Sequence, residues 1–137
     1  MAGSKKFSCE FEGMDELISR ISKLNGDIKA TTEKALKKTH SYVTPNLHTL
    51  MKSHKRTGRT EGSIQDRPNI TWVGNVASVD IGFDISNGGL ASIFLMYGTP
   101  RMKKDTKLYD AIYGKKTIQE VRDLQRDIFY EELRKLE

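Results

Sequence analysis

The sequence lacks most of the residues that announce chemistry. It carries one cysteine, Cys9, in 137 residues, which excludes an intramolecular disulfide and a cysteine-based zinc site and fits a reducing compartment. No stretch approaches the roughly 18 consecutive apolar residues of a membrane span. The opening "MAGSKKFSCEFEG" has two lysines but no apolar run behind them, so no secretory signal is visible. Histidine is scarce too: His40 and His48 stand eight apart, about 12 Å along a helix, too far to share a metal without a kink. Pro45 between them supplies a kink, yet no carboxylate stands nearby to complete a site, and the histidines, His54 included, read as surface or partly packed residues. No G-x-S-x-G, H-E-x-x-H or Cys/His pairing of known spacing occurs. Ser63, Thr57 and Cys9 have no neighbouring base, and Asp80 and Asp84 fall on the wet face of a strand. These absences argue against an enzyme, a cofactor, a metal and a small-molecule substrate.

What is present is an ordinary globular composition, 36% hydrophobic and 30% charged. At this length one domain is expected, residues 1–137, with a radius of gyration of about 14 Å. The net charge of +5 is unevenly spread: residues 1–60 hold 12 Lys/Arg against 6 Asp/Glu, residues 61–100 hold 1 against 4, and residues 101–137 hold 10 against 8. An acidic middle between basic flanks suits head-to-tail contact between copies, and the flanks suit nucleic acid. Charge alone does not choose.

Periodicity places the elements. Phe7, Cys9 and Phe11 alternate with polar residues and predict a short strand over 7–12, ended by Gly13. Apolar residues every three or four positions then predict a long helix over 14–53, kinked or restarted at Pro45 with Thr44 as its cap. Its first part, unbroken, would span about 42 Å, longer than the domain is wide, so it bends around the core, with Gly26 a cheap point for that, or projects. "KSHKRTGRTEGS", residues 52–63, has no hydrophobic residue and reads as an exposed basic loop. Antiparallel strands are predicted over 63–85, with a hairpin at Gly74-Asn75 and with Val79, Ile81, Phe83 and Ile85 facing inward. Leu90 to Tyr97 reads as a short helix, 98–107 as a basic arm after a helix stop at Gly98-Thr99-Pro100, and 117–136 as a final helix with a Thr117/Glu120 capping box. The Gly-Thr-Pro break lacks a phosphate-loop frame. The fold class is α+β: a long N-terminal helix, a small antiparallel sheet and a C-terminal helix packed on one face.

Two units carry a resemblance. "RTGRTEGSI", residues 56–64, resembles the Thr-Gly-x-Leu/Thr-x-x-Ser-Ile box of the tail-completion, or neck, proteins of long-tailed bacteriophages. "LASIFLMYGTPRM", residues 90–102, resembles that family's second box, in which Ala leads to Tyr/Phe-Gly-Thr and a basic or methionine-bearing arm. The order of helix, first box, strands, second box and C-terminal helix matches over nearly the whole chain from about residue 14. Met96 stands where many relatives are acidic, and "KKDTKLYDAIYG" where many read Pro-Phe-Leu.

The resemblance implies a structural virion protein of tail-tube or terminator-like layout. It would be made in the host bacterial cytoplasm and sit at the head–tail joint in a homo-oligomeric ring, often six-fold, against phage connector or tail proteins. It implies that Leu90 to Tyr97 docks into the subunit's own core and that Gly98, Thr99 and Pro100 throw residues 101–107 outward to a neighbour. The expected interface residues are Lys55, Arg56, Arg59, Tyr97, Arg101, Met102, Lys103 and Lys104, with Thr57, Gly58, Ser63, Gly98, Thr99 and Pro100 shaping the turns. The loop 52–59 would be a second contact or face DNA in the channel. The alternative is a non-specific nucleic-acid-binding protein using 52–59 and 101–107, although neither segment is interleaved with stacking aromatics.

Overall fold

The computed structural model describes residues 4–9, 13–54 and 58–137, which form an α+β fold. Phe11 of the expected first strand, and Lys55, Arg56 and Thr57 of the basic loop, lie outside the described residues. The chain runs β1 (Ser4–Ser8), α1 (Asp15–Lys23), α2 (Ile28–Met51), α3 (Arg59–Gly62), β2 (Ile70–Val73), β3 (Val76–Gly82), α4 (Ala91–Tyr97), α5 (Thr106–Tyr113) and α6 (Lys115–Leu136). The sheet is antiparallel in the order β1-β3-β2, with Phe7 opposite Val79 and Val73 opposite Val76 across the Gly74-Asn75 hairpin.

The helix expected over 14–53 is two helices, and the break is not at Pro45. It falls at Asn25-Gly26-Asp27. Asn25 takes a left-handed φ of 60°, Gly26 N–H donates to Ile21 O at 2.9 Å, and the Asp27 carboxylate caps α2 by accepting from Ala30 N–H at 2.9 Å. A Cβ on Gly26 would sit 2.5 Å from Ile21 Cγ2 and 2.6 Å from Leu136 Cδ1, so the turn is also where the end of α6 closes in. Pro45 instead rides inside α2. The carbonyl it deprives of a partner belongs to exposed Ser41 and can turn to water, while Leu36, Val43, Leu47 and Met51 anchor the helix on both sides of it. Burial there outweighs proline's intrinsic cost of about 3 kcal/mol.

Several other boundaries move for local reasons. The first strand is Ser4–Ser8, earlier than 7–12, because its register is set by β3. Residues 63–66 add one bridge, Ile64 to Phe83, instead of a strand. Ile85 leaves the expected alternation and is exposed: Gly82 at φ 132° ends β3, and the Asp84 carboxylate accepts from Ser86 N–H to start a 3-10 turn. The last helix begins at Lys115, not Thr117. Gly114 joins it directly to α5, and the Thr117 hydroxyl donates back to Asp110 O at 2.8 Å instead of capping.

Two apolar clusters result. In the larger, one face of the sheet (Phe7, Ala77, Val79, Ile81) meets the α2 stripe, closed by Met96, Leu108, Ile112 and Val121. In the smaller, Leu17 and Ile21 of α1 pack on Ala35 and on Ile128, Phe129 and Leu133 of α6. Gln125, 1% exposed, bridges β1, α2 and α6: its amide donates to Thr39 Oγ1 at 3.1 Å and Ser8 O at 3.3 Å, so this buried amide is satisfied instead of costing stability.

Candidate assembly surface

The first family-like unit meets the turn that leads into the second. Ser63, buried, donates its hydroxyl to Thr60 O at 2.6 Å and accepts at its carbonyl from Asp84 N–H. Gly89, just before α4, approaches so closely that a Cβ there would lie 2.6 Å from Asp84 O and 2.8 Å from Ser63 Oγ. Gly88, at φ 101°, likewise faces the Arg59 side chain, 3.0 Å from a built Cβ. Gly58 takes φ 77° and starts α3. Residues 58–63 are thus the floor under the Gly88-Gly89 turn that leads into α4.

Beyond that turn α4 has two faces, because at 100° per residue its positions sort by three and four. Ser92 and Met96 point inward and are fully buried. Leu90, Phe94 and Tyr97, spaced i, i+4 and i+7, point outward at 54%, 48% and 36% exposure. The expectation that the whole segment docks into the core is therefore half right at most: only its inner face does, since a short surface helix cannot bury both sides.

The arm expected over 98–107 does not project. Gly98 N–H closes α4 by donating to Phe94 O at 2.8 Å, and its φ of 79° and ψ of 172° fold the chain back. Thr99 and Met102 then exchange two backbone hydrogen bonds of 2.9 and 3.1 Å around Pro100 and Arg101, with Arg101 N–H also donating to Thr99 Oγ1. Asp105 N–H returns to Leu95 O at 2.6 Å, and its carboxylate caps α5 through Leu108 N–H. The turn satisfies its own backbone, so nothing drives it outward. It still presents Arg101, Met102, Lys103 and Lys104 to solvent, beside the outer face of α4. The result is an apolar ridge, Leu90–Phe94–Tyr97–Met102, with a basic collar at one end.

Behind the ridge, tyrosines form a row. Tyr97 meets Tyr109 edge-on at 5.6 Å, Tyr109 lies 5.2 Å from Tyr113, and Lys104 Nζ stands 5.9 Å over Tyr109. Tyr113 donates its hydroxyl to Ser4 O at 2.8 Å. Burial, reinforced by Tyr97, pushes the Tyr113 phenol up to about 12.

The histidines, read as lacking carboxylate neighbours, each have a polar partner. His54 Nε2 donates to Asp105 Oδ2 at 2.6 Å, which ties the turn after α2 to the start of α5. Burial alone would raise the Asp105 carboxyl, but the bonds from His54 and from the backbone of Leu108 and Lys107 win, leaving it below its ordinary value. His48 lies between Glu61 and Asp66, and buried His40 donates to Gln65 O at 2.7 Å. Among the described residues no three His, Cys, Asp or Glu side chains converge as a metal site, and no helix is long and apolar enough to cross a membrane. A groove of about 440 Å³ runs between the end of α2 and the α5–α6 joint, lined by Asn46 and Leu50 on one side and Lys107, Asp110, Lys115 and Lys116 on the other.

The ridge residues Leu90 and Phe94 were missed as interface candidates because their outward direction depends on which side of α4 the core takes. Comparison of the chain with protein-family models, with curated proteins and with solved structures finds no match.

Proposed function

We propose that the chain is a non-enzymatic structural protein of the neck of a long-tailed bacteriophage, completing the tail and joining it to the head as one subunit of a homo-oligomeric ring, and that it is made in the host cytoplasm and carried into the virion. The observation that carries this reading is the outward row of Leu90, Phe94, Tyr97 and Met102, each 36–54% exposed. Contiguous exposed apolar surface of this kind marks a contact with another macromolecule, and it is formed by the second family-like unit. The collar of Arg101, Lys103 and Lys104 gives that contact a preference for acidic partners. The interface is a ridge fixed by the turn at Gly98, not a free arm.

Disrupting the gene in its source genome and imaging the lysate by electron microscopy tests the reading. Filled heads beside unattached tails are the expected result; intact infectious particles overturn it. Complementation with Phe94→Asp, which places a carboxylate on the ridge and none in the core, is expected to give a folded protein that restores no joined particles.

A second reading, non-specific binding of nucleic acid, is favoured by the lysine-lined groove that continues the basic segments. It requires tight binding of duplex DNA by the isolated protein that weakens steeply with salt and with neutralisation of Lys107, Lys115 and Lys116.

A further inference from the structure

The sheet has two edges, and the chain treats them differently. Val73 and Val76 close the Gly74-Asn75 hairpin as a hydrogen-bonded pair, so Val73 and Thr71 turn their backbone groups to β3 while Trp72 and Ile70 turn theirs outward. Carried across β3, the same alternation turns Ser4, Lys6 and Ser8 of β1 outward at the other edge. That edge is guarded. Tyr113 donates its hydroxyl to Ser4 O and the Gln125 amide donates to Ser8 O, and Lys5 and Lys6 set two cations along the strand. The edge of β2 has no such guard. The strand reads Ile-Thr-Trp-Val, without lysine or proline, and no backbone hydrogen bond of the described residues reaches the outward groups of Ile70 or Trp72.

Beside that open edge lies a cleft of about 390 Å³ between the start of α2 and the hairpin. Ile28 and Trp72 give it apolar walls, and Lys29 is the one charged residue that lines it. The Lys29 ammonium stands 5.3 Å from the centre of the indole ring. The indole Nε1 is shut off from solvent and has no acceptor among the described residues, a cost that folded chains ordinarily avoid. Val73 and Thr71 face the other way, and Val73 is 75% exposed, more than any residue of the apolar ridge. An open strand edge, a cleft for a side chain on one face and an apolar contact on the other together make a strand-addition site.

We propose that β2 receives an extended segment of a partner protein as a fourth strand, and that this segment carries a carboxylate on the side facing the cleft. Main-chain bonds to Ile70 and Trp72 hold the segment and set its register. A glutamate in the cleft lays its aliphatic stem along Trp72 and Ile28, brings its carboxylate to Lys29 and supplies the acceptor that the indole N–H lacks. The neighbouring residue of the segment, pointing the other way, packs on Val73. A second copy of this chain fits worse. The guarded edge of β1 offers it no open strand, so copies can pair only β2 to β2, which sets two Lys29 ammonium groups at one seam with like charges facing.

The isolated full chain tests this, independently of the neck reading. Trp72 is its one tryptophan, so fluorescence and the indole N–H resonance report on the cleft directly. The probe is an eight-residue peptide of alternating valine and glutamate, blocked at both ends, with a valine-lysine peptide as its counterpart. The glutamate peptide is expected to shift both Trp72 signals and to slow amide exchange at Ile70 and Trp72, while Thr71 and Val73, already bonded to β3, keep their protection. The lysine peptide is expected to bind about fivefold more weakly, and Lys29→Glu, a change at an exposed helix position, to reverse the order of the two. Absence of binding at millimolar peptide, binding that leaves the Ile70 and Trp72 amides unprotected, or an order unchanged by Lys29→Glu overturns the site. Protection of those two amides that rises with protein concentration alone overturns the choice of partner in favour of a second copy.

Discussion

Replacing Gly98 by alanine tests how the exposed apolar ridge is held. Gly98 sits at φ 79° and ψ 172°, a region essentially reserved for glycine, where another residue costs of order 1–3 kcal/mol. Its missing Cβ would also stand 3.0 Å from Lys104 N and 3.1 Å from Met102 O. Both are backbone atoms and cannot rotate away. Against this strain the turn holds two backbone bonds between Thr99 and Met102, each contributing about 0.5–1.5 kcal/mol net. Strain and bonds are of equal size, so Gly98→Ala opens the turn and leaves the core, which caps the loss of global stability at about 3 kcal/mol. Urea denaturation is expected to show a lower midpoint at an unchanged slope. Amide exchange is expected to show lost protection at Thr99 and Met102, with Asp105, bonded to Leu95 O on the far side of the turn, still protected. Unaltered stability together with unaltered protection at Thr99 and Met102 would refute the reasoning.

Two further outcomes follow from the same region. Asp105→Ala removes the α5 cap and the His54 partner and is expected to cost about 0.5–2 kcal/mol for the cap. Because the Asp105 pKa is lowered on folding, the difference from the parent chain is full above about pH 4 and shrinks as pH falls through the folded value; a difference in denaturation midpoint that stays constant down to pH 2 contradicts it. Spectrophotometric titration is expected to show one of the five tyrosines ionising near 12 and its disappearance in Tyr113→Phe; simultaneous ionisation of all of them near pH 10 contradicts the buried Tyr113–Ser4 bond.

The elements were legible where one face of a periodic pattern is buried. The hairpin at Gly74-Asn75 and the stripe of α6 follow their spacing, whereas the continuously apolar segment before Gly98, which spacing left open between helix and strand, folds as a helix. Tertiary packing changed the rest. Pro45 is the stronger breaker by propensity, yet α2 passes through it because its apolar side is buried on both flanks, and the Asn-Gly-Asp turn at 25–27, a conventional stop, reversal and cap, carries the break. Gln125 occupies a core position that a hydropathy stripe skips. The histidine contacts were out of reach for a different reason: His48 and Asp66 lie 18 residues apart, and His54 and Asp105 lie 51 apart, so no local spacing encodes them. The candidate surface was half legible. Its basic residues and turn could be read directly, but the direction of Leu90 and Phe94 could not, because a mostly apolar seven-residue segment does not say which side is wet.

The bridging amide of Gln125 has a consequence for how the chain is born. It binds Ser8 O across 117 residues of sequence, and Tyr113 binds Ser4 O across 109. At synthesis rates of about 5–20 residues per second, Ser8 waits roughly 6–23 s for its partner to be translated. β1 lacks its β3 neighbour for the first part of that interval, and α1 has no complete α6 to cover Leu17 and Ile21 through all of it. The protein is thus committed to finishing its fold after most of it has left the ribosome. Nascent chains stalled before α6 are expected to be chaperone-bound and protease-sensitive.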